Sequence, residues 1–144
     1  MERRRPGRPL PAVAAIAVAL TAACAAAAPP DALPFLPRRP APDPSLGPEF
    51  EDLAALSGIP VVENGCVRVR GQTGNAVTVI WRHDIDVGRD DTGLHLRSGR
   101  SGRTYPFGKP LHGGGGEISA THVREAFPDI ARRCPPPYFF GGLL

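Results

Sequence analysis

Beyond its first eight residues the chain has no excess of charge. The net +3 at pH 7 is accounted for by Arg3, Arg4, Arg5 and Arg8 opposed by Glu2. A protein that neutralises phosphates carries its basic stripe on the folded domain, so this balance argues against nucleic acid as a partner. The usual catalytic frames are missing too. Ser98 and Ser101 lack a G-x-S-x-G frame, which leaves a serine hydrolase unsupported. The run Gly113-Gly114-Gly115-Gly116 lacks the Lys-Ser/Thr of a phosphate loop, and Ile118 stands where a G-x-G-x-x-G would need its last glycine. It reads instead as a bulge or tight bend where strands cross closely. Neither Cys66 nor Cys134 has a second ligand at C-x₂-C spacing, and His122 fits no usual zinc spacing, so no metal ligand set and no cofactor is indicated.

Proline and glycine are abundant. The 18 prolines and 17 glycines of 144 residues are close to a low-complexity proportion. That excludes a coiled coil or long-helix protein and leaves room for one ordinary domain with an unpacked portion.

The N-terminus has the layout of a secretory signal over residues 1–28: the arginines, then the apolar run from Ala12 to Leu20, then small residues from Ala22 to Ala28. No charge occurs from Pro9 to Pro30. A retained membrane helix is the rival, but the run is mostly alanine and is bracketed by Pro11 and the Pro29-Pro30 pair. Leu20-Thr21-Ala22-Ala23-Cys24 resembles the lipobox of bacterial lipoproteins, with Thr21 where the family prefers leucine. The resemblance implies cleavage before Cys24, lipidation of its thiol and attachment to a membrane. Cleavage after an Ala-x-Ala would instead discard Cys24. Either route leaves Cys66 and Cys134 as an even pair entering an oxidising compartment, where a disulfide persists. Closing a loop of roughly 70 residues stabilises by about 4 kcal/mol in the chain-entropy model.

Residues 29–48 hold eight prolines and read as an extended, solvated, disordered linker. The compact domain is then expected over 49–144. Pro48 to Leu56 suggests a short helix, with acids in its first turn and Phe50, Leu53 and Leu56 three apart. The rest reads as short strands separated by turn signals. Val67 and Val69 alternate with Arg68 and Arg70 after Asn64-Gly65, and Val77 to Trp81 is the strongest β run and a central one. Strands around Ile85–Val87, Leu94–Arg97 and Tyr138–Phe140, an edge strand at Thr104–Phe107 and a helical turn at His122–Ala126 complete the pattern. The fold class is all-β: a small barrel or sandwich with one or two short helices.

Cys66 at a strand start, the strand ending in Trp81, Phe107-Gly108-Lys109-Pro110, the Gly114–Ile118 run and Cys134-Pro135-Pro136-Pro137-Tyr138-Phe139 come in a recognisable order. Over residues 58–142 the chain resembles a family of small bacterial secreted proteins and lipoproteins. That resemblance implies an OB-like β-barrel, and it brings no established activity.

The expectation is therefore an exported, disulfide-bonded module of the cell envelope, non-enzymatic, binding a ligand or partner or acting structurally. Trp81 is expected in the core near the disulfide; its alternative role is a stacking platform shared with Tyr105 and Tyr138. The rival class is a small metal-dependent or acid–base hydrolase using His83, Asp84 and Asp86. On a strand the two aspartates share a face and His83 points the other way, which opposes a joint site.

Overall fold

The structure, a computed structural model, describes residues 32–42 and 54–144. The signal segment with Cys24, linker residues 29–31 and 43–48, and residues 49–53 of the expected helix lie outside the described residues. Eight strands and two short helices follow one another: β1 (Ala54–Glu63), β2 (Cys66–Arg70), β3 (Ala76–Trp81), β4 (Ile85–Asp90), β5 (Gly93–Ser98), β6 (Thr104–Pro106), β7 (Leu111–Ile118), α1 (Ala120–Ala126), α2 (Pro128–Arg133) and β8 (Tyr138–Leu143). Five of the strands close a barrel in the order β1-β2-β3-β8-β7, and β4-β5-β6 form a separate sheet. The last strand inserts between β3 and β7, parallel to β3 and antiparallel to β7. This is an all-β domain with OB-like barrel connectivity.

The β1–β2 hairpin follows from Asn64-Gly65. Both residues have positive φ, 52° and 75°, as a turn matching the strand twist requires. The expected helix ending at Leu56 is not formed in its described part, because Ala54, Ala55 and Leu56 are already strand. Leu56, Gly58 and Pro60 alternate inward with period two, and residues 54–58 pair with Leu111–Gly115 of β7. Partners on both sides of β1 outweigh the three-residue spacing of Phe50, Leu53 and Leu56. Gly58 permits this path, since a Cβ there would lie 2.6 Å from both Arg70 O and Val69 Cγ1.

The four-glycine run is neither a bulge nor a bend. It is the middle of β7, in register with β1 on one side and β8 on the other. Its inward glycines make the barrel narrow enough to close. A Cβ on Gly115 would overlap Phe140 O and lie 2.6 Å from the Phe139 ring, and one on Gly141 would lie 2.7 Å from Val79 Cγ1. Small residues on β7 and β8 thus leave the interior to Leu56, Val67, Val69, Val79, Trp81 and Phe139. Ile85 and Leu96 of the three-stranded sheet join the same cluster.

A second apolar layer covers the outside of β2, β3 and β8. Ile80, Val123, Ile130 and Tyr138 surround the Cys66–Cys134 disulfide, whose Cα atoms are 5.7 Å apart. The bridge ties the start of β2 to the end of α2. With its ends 68 positions apart in the sequence, it stabilises by about 4 kcal/mol in the chain-entropy model. Ser119 caps α1 by accepting from His122 N at 3.2 Å, and Pro128 opens α2.

This second layer explains why Arg68 is buried although the alternation of β2 points it outward. The residues after α2 fold over it. Arg68 Nη1 donates to Glu63 Oε2 at 2.7 Å, Nη2 to Ala76 O at 2.6 Å and to Pro136 O at 3.2 Å, and Nε to Thr78 Oγ1 at 3.2 Å. Thr78 in turn donates to Pro135 O at 2.5 Å. Arg70 and Arg68 hold the Glu63 carboxyl below the usual carboxylate range through these hydrogen bonds.

The described part of the proline-rich stretch, residues 32–42, makes two isolated β-bridges, and residues 35–39 are docked rather than solvated. The direct β2–β3 pairing spans only Val69-Arg70 with Ala76-Val77. Beyond that the two strands part, and the segment lies between them. Val67 N donates to Phe35 O and Trp81 N to Pro37 O, while Phe35 N and Arg39 N donate to Gly65 O and Trp81 O. Leu36 and Pro37 are buried there. The folded domain therefore includes part of what composition assigns to the linker.

Candidate functional site

The residues singled out in the sequence do not form one site. Trp81 is fully buried in the interior cluster, whereas the disulfide lies in the outer layer beside its neighbour Ile80. The expectation that Trp81 packs near the disulfide is corrected by strand alternation: adjacent residues of β3 face opposite layers. Tyr138 is buried in the outer layer and donates to Cys134 O at 2.8 Å, and burial pushes its hydroxyl pKa up. Tyr105 is half-buried on β6 and donates to Leu144 O. Trp81, Tyr105 and Tyr138 thus offer no common stacking face; the first two belong to the interior side and the third to the outer layer.

The charged candidates are also separate. Asp84 is gripped by Arg82, with Nε–Oδ1 and Nη2–Oδ2 both at 2.9 Å. Burial tends to raise the Asp84 pKa, but the Arg82 hydrogen bonds and charge outweigh it and leave the carboxyl below its ordinary value. Asp86 pairs with Arg38. His83 is exposed and lines a groove of about 650 Å³ between residues 35–40 and the start of α2, which neither aspartate reaches. His95 is on β5, 3.4 Å from Asp90 at the far end of β4. Among the described residues no three His, Cys, Asp or Glu side chains are grouped to hold a metal.

What the fold does assemble is a groove of about 440 Å³ along β7 and β8. Its volume lies in the range of small-molecule sites, roughly 300–1,000 Å³. The floor is a ribbon of backbone, Gly113–Gly115 beside Gly141-Gly142, with Phe140 and Leu143 adding apolar surface. Both edges of the β7 ribbon are already paired, so this floor offers van der Waals contact and few hydrogen bonds. The polar groups lie elsewhere in the lining: Arg39, Arg82, Arg100, Ser98 and Ser101.

Each is placed by local structure. Arg39 ends the docked segment, and its guanidinium carbon is 5.5 Å from the centre of the Phe140 ring. Arg82 continues β3, and its stem crosses Gly142, where a Cβ would lie 3.0 Å from Arg82 Cδ. Ser98 ends β5, and Arg100 and Ser101 belong to the β5–β6 loop. That loop is fixed by Ser98 N to Arg103 O at 2.9 Å, Gly102 N to Ser98 O at 2.8 Å and Gly99 N to Asp84 O at 2.7 Å. Among the described residues no Asp or Glu side chain lines the groove, and Leu144, the last residue of the sequence, belongs to its lining.

Sequence reasoning passed over this site. Arg39 sits in what reads as linker, and the glycines read as a bend. One signal was available: from Thr92 to Gly116 the chain carries Arg97, Arg100, Arg103 and Lys109 and no acid. In comparisons with known proteins, no family model matches the chain, and no curated protein or solved structure is significantly similar to it.

Proposed function

We propose that this protein is an exported, non-catalytic module of the cell envelope that binds a ligand in the β7–β8 groove. The observation that carries the reading is the Cys66–Cys134 disulfide, both of whose residues are almost completely buried. Such a bridge is a property of oxidising compartments and is rare in a reducing cytosol. The basic, apolar and small-residue order of residues 1–28 supports the same destination. The resemblance to small secreted proteins and lipoproteins agrees with it. Cys24 is the candidate anchor. The ten residues between it and Phe35 reach at most about 35 Å, so a lipid there would keep the barrel close to the membrane.

The volume of the groove, about 440 Å³, and its glycine, Phe140 and Leu143 surface fit a small ligand. The test is the mass of the mature protein recovered from fractionated cells. A diacylglyceryl-modified Cys24 is expected for the tethered form, and an unmodified start beyond residue 24 for a free secreted form. Full-length protein in the cytosol with reduced thiols would refute the proposal.

A further inference from the structure

We propose that the Cys66–Cys134 bridge is a latch for the docked segment: the oxidised pair holds residues 35–39 in the barrel wall, and its reduction releases them. Phe35 is the point of contact. It forms an isolated parallel β-bridge with Cys66. Its N–H donates to Gly65 O at 2.8 Å and its carbonyl accepts from Val67 N at 2.9 Å, and these are the two chain neighbours of Cys66. Its side chain packs against the apolar cluster that contains both cysteines. Arg133 immediately precedes Cys134, and its guanidinium carbon lies 3.6 Å from the centre of the Phe35 ring, a cation stacked on an aromatic face. Phe35 is thus gripped from both ends of the bridge: by the chain flanking Cys66, and by Arg133 at the end of α2.

The two ends are joined covalently only through the bridge. A dithiol reduces it by passing on two electrons and two protons, so that the bridge becomes two thiols and the dithiol closes to its own disulfide. The end of α2 can then part from the start of β2, and Arg133 from Phe35. Beyond Phe35 the backbone bonds of the segment run to Trp81 alone among the described residues, so losing the Phe35 end leaves the rest weakly held. Coupling is reciprocal: whatever factor the bridge contributes to docking, docking contributes to the bridge. The inference does not involve the β7–β8 groove. Its consequence rests on the anchored form proposed above. Release makes β1 the first fixed part of the barrel after Cys24, and the reach of the tether grows from about 35 Å to about 100 Å. The redox state of the bridge then sets how far the barrel stands from its anchor.

The experiment has two arms, both on the purified full chain. In the first, amide hydrogen exchange is compared between the oxidised and the dithiothreitol-reduced protein. The amides of Val67 and Trp81, which donate to Phe35 O and Pro37 O, should exchange about tenfold faster after reduction, within the usual range of coupling between sites. The amides of β5 should change less than twofold. In the second arm, the chain is equilibrated with mixtures of reduced and oxidised dithiothreitol, and the bridged fraction is read by alkylation and mass. Phe35→Ala should lower the equilibrium constant for the bridge by the same factor of about ten. Arg133→Gln, an exposed change that removes only the stacked cation, should lower it about threefold. Gly74→Ala is the control, in the β2–β3 turn with nothing within 4 Å of the added Cβ, and should leave it unchanged. Unaltered exchange at Val67 and Trp81 would overturn the inference. So would β5 exchange rising as much as theirs, or Gly74→Ala weakening the bridge as much as Arg133→Gln, since the bridge would then be a general staple of the fold. The anchored form is judged separately by the mass of the mature N-terminus, so the two can fail independently.

Discussion

Replacing Gly115 by alanine tests most sharply why glycine fills the centre of β7. The new Cβ would overlap Phe140 O and lie 2.6 Å from Phe139 Cε1 and 2.8 Å from Phe140 C. Two of these atoms are backbone of β8 and cannot rotate away. Either β7 retreats from β8, or Phe139 leaves the interior cluster. Overpacking of this kind costs about 1–3 kcal/mol, and each ladder hydrogen bond strained beside it adds about 1 kcal/mol. A loss of about 3–4 kcal/mol is expected, a large part of the 5–15 kcal/mol typical of a domain. The control is Gly74→Ala, where nothing lies within 4 Å and only the φ of +85° is strained. That substitution should cost about 1–2 kcal/mol. Equilibrium urea unfolding of both variants reads the difference as a shift in midpoint at constant slope. If Gly115→Ala is no less stable than Gly74→Ala, the close approach of β7 and β8 is not what fixes glycine there.

Other consequences are open to measurement. Arg68→Met leaves Thr78 Oγ1, Ala76 O and Pro136 O without their donor beneath the outer layer and should cost about 2–4 kcal/mol, whereas Arg70→Ala breaks an exposed pair with Glu63 and should cost less than about 1 kcal/mol; urea titration of both would show no such contrast if Arg68 were merely a surface charge. A chain beginning at residue 43 lacks the docked segment and its buried Leu36 and Pro37, and should lose about 3 kcal/mol or more; unchanged stability would mean the segment adds nothing to the barrel wall. The lowered pKa values of Glu63 and Asp84 set the acid response. A depressed folded pKa gives stability that is complete above the ordinary carboxylate range and is lost as pH falls through the folded value. Thermal melts should therefore hardly change between pH 7 and 5 from these groups and fall below about pH 4.

Much of the architecture is legible in the sequence because it rests on local rules. Asn64-Gly65 dictates its turn, Val77 to Trp81 dictates a buried central strand, and Pro106 confines β6 to an edge. The pairing of Cys66 with Cys134 follows from counting thiols. What escapes depends on partners distant in the chain. The start of β1 looks helical until β7 lies beside it. Arg68 looks exposed until Pro135 and Pro136 cover it. The segment 35–39 looks solvated because its place is created by the parting of β2 and β3. The groove is the extreme case, since its arginines come from residues 39, 82 and 100 and its floor from chain near residues 113 and 141.

The central claim is that the barrel matures outside the cytosol with its two domain thiols joined. The direct measurement is alkylation of free thiols in intact cells followed by mass analysis of the protein from each fraction. The account predicts a chain lacking its leader, found with the envelope or outside the cell, in which residues 66 and 134 are unlabelled until a reductant is added to the unfolded protein. Labelling of both thiols without reductant, in protein that retains its leader and stays in the cytosol, would contradict it.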